Sequence, residues 1–128
     1  MSLRVQRIDN KPAVVNEEGT LRITGTFQDD HGVAIPGSAL LTCTLELYDV
    51  ETDTTINDRD AVDISALVDE EGGLDLVLLP ADNPIVTPGV AGTRERHVAL
   101  VRWTFDTDKG DSEVIEIDVI QIHRIPAA

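Results

Sequence analysis

Between Thr20 and Phe27 the chain alternates cleanly: Leu21, Ile23 and Phe27 fall on one face, and Thr20, Arg22, Thr24 and Thr26 on the other. A period of two marks a half-buried strand. The next ten residues, "DDHGVAIPGS", supply turn chemistry through Gly32, Pro36 and Gly37. Alternation resumes over 41–49, with Leu41, Cys43, Leu45 and Leu47 expected inward and Thr42, Thr44, Glu46 and Tyr48 outward. The following 50–73 segment admits a short edge strand near Thr54–Asn57, another near Ala61–Ile64, or a single helical turn around Ser65–Asp69. "GLDLVLL" (73–79) predicts a compact strand that ends at Pro80, and 81–95 a long loop lying across the end of the sheet.

In "HVALVRWTF" (97–105), Ala99, Val101, Trp103 and Phe105 share one face, and Val98, Leu100, Arg102 and Thr104 the other. Both faces begin apolar, so the start of this strand is expected to be covered on both sides. "DTDKGD" (106–111) reads as a hairpin loop in which Gly110 takes the left-handed conformation. The return strand carries Ile115, Ile117 and Val119 and then shifts phase to Ile120 and Ile122, which predicts a β-bulge near Val119–Ile120.

No window of eleven or more residues has helical periodicity. About seven short strands punctuated by turns predict an all-β fold, an immunoglobulin-like antiparallel β-sandwich. The Cys…Trp…Cys spacing of antibody domains is absent, so the likeness is architectural. Composition agrees: aromatic residues make up only 3% of 128 residues, leaving Val, Ile, Leu and Ala to fill a core, as pleated strands favour. Trp103, the only tryptophan, is expected to plug that core.

Charge sharpens the picture. The formal net charge is −14, but residues 1–12 carry +2 and the remainder −16. The chain divides accordingly into an N-terminal arm or first edge strand (1–12) and a sandwich domain (13–128). Arg4, Arg7 and Lys11 are the candidate protein-contact residues, docking onto an acidic neighbour or adding a strand to its sheet edge. So acidic a surface repels nucleic acid and anionic membrane, and neither is expected as a partner. One cysteine allows no intrachain disulfide. No apolar run suits a signal peptide or a membrane span, so the chain is expected to be soluble and made in a cytosol.

Candidate chemistry is sparse. Asp106, Asp108 and Asp111 bring oxygen ligands together, but the glycine and glutamate positions of a calcium-binding EF-hand loop are not met. His31, His97 and His123 are 66 and 26 residues apart, whereas zinc ligands come in short-range pairs. Cys43 sits among leucines, where a buried structural thiol is expected rather than a nucleophile. Ser38, Ser65 and Ser112 lack a nucleophile-elbow context. Tyr48, the one outward ring, is too little for a nucleic-acid stacking platform or a sugar site. No enzymatic activity, metal or cofactor is expected.

Three segments, "CTLELYDVETDTTINDRDAVDI", "LVLLPADNPIV" and "HVALVRWTFDTDKGDSEVIEIDVIQI", resemble small immunoglobulin-like proteins of tailed bacteriophages, of the head-decoration or head–tail neck type. The likeness rests on "LYD" followed by "IN.RD", on "L.PADN.IV", and on "HVAL..WT" leading into a final hairpin. It covers roughly residues 41–122. Arg96 stands where the pattern leads one to expect an acid before "HVAL". The resemblance implies a non-enzymatic virion protein, synthesised in the bacterial host cytoplasm, that decorates the capsid or joins head and tail. Its implied partners are capsid, portal or neck subunits and further copies of itself. The alternative is a recognition module that binds a host surface ligand, or calcium through acidic loops.

Overall fold

In a computed structural model, residues 2–5, 13–29, 31–87, 93–105 and 109–122 are described. Each alternating stretch becomes a strand. The elements are β1 (Ser2–Val5), β2 (Ala13–Asn16), β3 (Leu21–Gln28), β4 (Thr42–Asp49), β5 (Val62–Asp63), β6 (Gly73–Leu78), β7 (Arg94–Thr104) and β8 (Gly110–Ile120), with three single 3-10 turns between them. They form two sheets: three strands in the order β1-β3-β6, and five in the order β2-β8-β7-β4-β5. Every pairing is antiparallel except that of β2 with β8. The N-terminal segment thus contributes β1 to the small sheet and β2 to the large one. This is the strand order of an immunoglobulin-like sandwich, with β3 and β6 facing β4, β7 and β8. No helix among the described residues is long and apolar enough to cross a membrane.

The core lies between the sheets. Ile23, Phe27, Leu74, Leu76 and Leu78 come from the small sheet, and Val15, Cys43, Leu45, Leu47, Ala99, Val101, Trp103, Ile115, Ile117 and Val119 from the large one. Trp103 meets Phe27 edge-to-face, with ring centroids 4.9 Å apart and planes at 71°. The opening turn of β6 requires glycine at Gly72. Its φ is +79°, and a Cβ there would lie 2.8 Å from the Ile35 carbonyl oxygen.

Several expectations are corrected. Leu41 is not inward: it precedes β4, donates its N–H to the Thr104 carbonyl, and is 61% exposed. The β7–β8 register runs unbroken from Thr104↔Gly110 to Arg94↔Ile120, so no bulge interrupts Val119–Ile120. The inward phase continues instead to buried Gln121, while Ile120 and Ile122 lie on the opposite side. Gly110 opens β8 opposite Thr104 and does not have a positive φ. Segment 54–57 contributes one bridge, Tyr48↔Thr55, rather than a strand. By contrast β5 falls within Ala61–Ile64, and a 3-10 turn occupies Ser65–Leu67. His97, Val98 and Ala99 are all buried, so the start of β7 is covered on both faces.

Candidate functional site

Of the three N-terminal contact candidates, the structure places Arg4 in β1, opposite Thr26 on the edge of the small sheet. Arg7 and Lys11 lie outside the described residues, as do Asp106, Asp108 and His123. His31 and Asp111 are exposed, each in a loop or at a strand end. Cys43 is buried in β4, and its thiol is pushed up to about 11, first by burial and then by the charge of Asp63.

The segments "IN.RD" and "L.PADN.IV" converge at one end of the sandwich. Asn57 and Asp58 both adopt left-handed backbone, with φ of 52° and 54°, a conformation that Asn and Asp tolerate better than most residues. That twist turns 56–59 back onto β4: Ile56 N–H donates to the Leu47 carbonyl, and Leu47 N–H to the Arg59 carbonyl. It also aims two side chains at the 3-10 turn Pro80–Asp82. Asn57 Nδ2 donates to Asp82 Oδ1 at 2.8 Å, Arg59 Nε to the same oxygen at 2.9 Å, and Arg59 Nη2 to Oδ2 at 3.2 Å. Leu79 N–H completes the set at 2.9 Å. Burial pushes the Asp82 carboxyl up, but bonds from Arg59, Asn57 and the Leu79 N–H outweigh it and hold the group below the usual carboxylate range. Adjacent Asn83, also fully buried, donates from Nδ2 to the Gly19 carbonyl, and its own carbonyl accepts Glu18 N–H. "IN.RD" and "PADN" are therefore two halves of one clasp.

A second polar cluster joins "LYD" to "HVAL". Asp49, at the end of β4, is the register partner of His97 near the start of β7. His97 Nε2 lies 2.6 Å from Glu95 Oε1 and 3.7 Å from Asp49 Oδ1. Glu95 also accepts the N–H groups of Val86 and Thr87, which ties the loop after β6 to β7. Asp49 Oδ2 accepts the N–H and hydroxyl of Thr52. Short-range His and Cys spacing could not have pointed to this cluster, because it holds a single histidine and no cysteine, and Asp49 reaches Glu95 and His97 from another strand.

The outer face of the large sheet is built by the alternate residues. Across it run Glu46, Leu100 and Val114, then Tyr48, Val98 and Glu116, in consecutive register rows. Val50 and Val114 are each 48% exposed, while Val98 is buried beneath its neighbours. Tyr48, Val50, Arg96, Val98, Val114 and Glu116 line a shallow hollow of about 290 Å3. Arg94, Arg96 and Arg102 stand in a row along β7 on this face. Arg96 Nε donates to Asp118 Oδ1 at 2.6 Å, and its Nη1 contacts Glu116 Oε2. An acid at position 96 would face both carboxylates, which accounts for the arginine there. No protein-family model matches this chain, and searches of curated proteins and of solved structures return no significant match.

Proposed function

We propose that this protein is a non-enzymatic structural subunit of a tailed-phage virion, decorating the head or joining head to tail through repeated protein–protein contacts. Two things support the reading. The resemblance in sequence is one. The other is that the residues carrying it, Asn57, Arg59, Asp82 and Asn83, hold loops to the sandwich, so the pattern falls on a scaffold, as a structural subunit requires.

The observation that carries the mode of action is the outer face of the large sheet. Its centre is apolar, with Tyr48, Val50, Leu100 and Val114 around buried Val98, and its rim carries Arg94, Arg96 and Arg102 on a chain of net charge −14. An apolar centre that includes a tyrosine, with arginines beside it, suits a protein interface. The occupant that fits is the same face of another copy of this chain: Arg94 and Arg96 already pair with Asp118 and Glu116 on this face, so the contact buries the apolar row, with Arg102 set to meet an acid of the partner copy. In a symmetric assembly such a contact repeats, and weak contacts become strong together.

Light scattering coupled to size-exclusion chromatography, at low and moderate salt, tests the self-contact. A defined oligomer that dissociates in Leu100→Glu or Val114→Glu is expected. A monomer at every concentration overturns the self-contact. Quantitative mass spectrometry of gradient-purified particles from a host bearing this gene tests the virion assignment separately: multiple copies per particle are expected, and absence from particles rejects it.

A further inference from the structure

We propose that Asp49, Glu95 and His97 form a binding site for a divalent transition cation of the zinc class. One ligand atom from each of the three lies within 4.8 Å of the others. His97 and Asp49 are almost wholly buried, and the Glu95 side chain is 11% exposed. The cluster alone would be unremarkable as an acid–histidine pair. What singles it out is Asp49 Oδ1, a buried carboxylate oxygen with no hydrogen-bond partner among the described residues, 3.7 Å from His97 Nε2.

One proton cannot satisfy this arrangement. A hydrogen on Nε2 reaches Glu95 Oε1 at 2.6 Å, but Asp49 Oδ1 receives nothing from the described residues. Leaving a buried carboxylate oxygen without a donor is costly. A cation bonded to all three atoms gives Asp49 Oδ1 its partner, and His97 Nδ1, which also lacks a partner among the described residues, then carries the ring proton. Bonds of about 2.0–2.1 Å in tetrahedral geometry place ligand atoms roughly 3.3 Å apart. The Asp49–His97 pair at 3.7 Å must close slightly and the Glu95–His97 pair at 2.6 Å must open to reach it, and all three atoms already lie within 4.8 Å of one another. Of the three, Glu95 lines a cleft of about 200 Å3 together with Glu51, Thr87, Thr93, Arg94 and Gln121, which makes its side of the cluster the one nearest solvent.

The ligand types select the metal. An imidazole nitrogen with two carboxylates suits zinc, whereas calcium and magnesium favour all-oxygen sites. The role is structural: Asp49 ends β4, His97 opens β7, and Glu95 holds the loop at Val86 and Thr87. Metal there would pin three elements at one end of the sandwich.

The experiment is isothermal titration of the chelator-stripped full chain with zinc chloride, joined to thermal melting and to the visible spectrum of the cobalt(II)-loaded protein. The expected result is one zinc per chain, a melting temperature raised by zinc but not by equimolar calcium, and a cobalt spectrum of low coordination number. Asp49→Asn keeps the size of the side chain and should weaken binding about tenfold or more. Glu95→Gln serves as a second ligand variant should Asn at position 49 impair folding. His31→Ala, on the exposed loop, should bind as the parent does. Absence of zinc binding overturns the proposal. So does equal binding by Asp49→Asn and Glu95→Gln, or loss of binding in His31→Ala.

Discussion

Arg59 grips the fully buried carboxylate of Asp82 with two hydrogen bonds, Nε to Oδ1 at 2.9 Å and Nη2 to Oδ2 at 3.2 Å, across 23 residues of sequence. The two partners are not equivalent. Arg59 keeps 28% of its side chain in solvent, while Asp82 has none.

Removing the arginine should therefore cost more than removing the acid. Arg59→Met strands a buried carboxylate, and a loss of about 3 kcal/mol or more is expected. Asp82→Asn leaves a guanidinium that can still reach water, and about 1–3 kcal/mol is expected. Urea denaturation of the two variants and of their double mutant checks the order. In the double mutant, the penalty should fall short of the sum of the singles.

The same clasp sets an acid limit. Asp82 has a lowered native pKa, so the unfolded chain binds its proton more readily than the native one. Its contribution is fully present above the ordinary carboxylate value of about 4, and is lost as pH falls through the lower native value. Melting temperatures recorded from pH 7 to pH 2 should decline below about pH 4. Asp82→Asn should flatten that decline, and an unchanged acid limb in the variant would assign it to other groups.

Phe27 and Trp103 carry the contact between the sheets. Phe27→Ala opens a cavity beside the indole, and a loss of about 3–5 kcal/mol is expected. Because Trp103 is the only tryptophan and is 1% exposed, its fluorescence reports this packing directly. The native protein should emit at short wavelength and shift to the red on unfolding. An emission maximum typical of water-exposed indole in the folded protein would contradict the packing.

Cys43 should behave as an inert thiol. With its pKa raised to about 11, almost none of it is thiolate near pH 8, and the core shields it. Ellman's reagent should find no reactive thiol in the native protein and one per chain in concentrated urea. Rapid native labelling would show that β4 opens locally.

The strands at 21–28, 42–49, 73–78 and 94–104 were legible because alternation is a local property: successive side chains of any extended segment point to opposite faces. Residue 41 misled because it lies before β4, where the chain leaving the 3-10 turn at Gly37–Ala39 buries Leu40 instead. The phase shift at Val119–Ile120 misled for a different reason. Gln121 takes the inward position that an apolar residue was expected to hold, so burial of a polar side chain looked like a slip in register. Neither polar cluster was visible, although Asn57, Arg59, Asp82 and His97 all lay in quoted motifs.

By itself, then, the order of apolar and polar residues determined an all-β chain, its main strands, the face each one buries, and Trp103 as the core plug. Only the tertiary structure decided which strands pair, that β2 runs parallel to β8, and that Asp82 meets Arg59 while Asp49 meets His97. Alternation specifies a face but not a neighbour. Partners are chosen where two sheets close over a shared core, and there a buried charge is tolerated only beside a group that satisfies it.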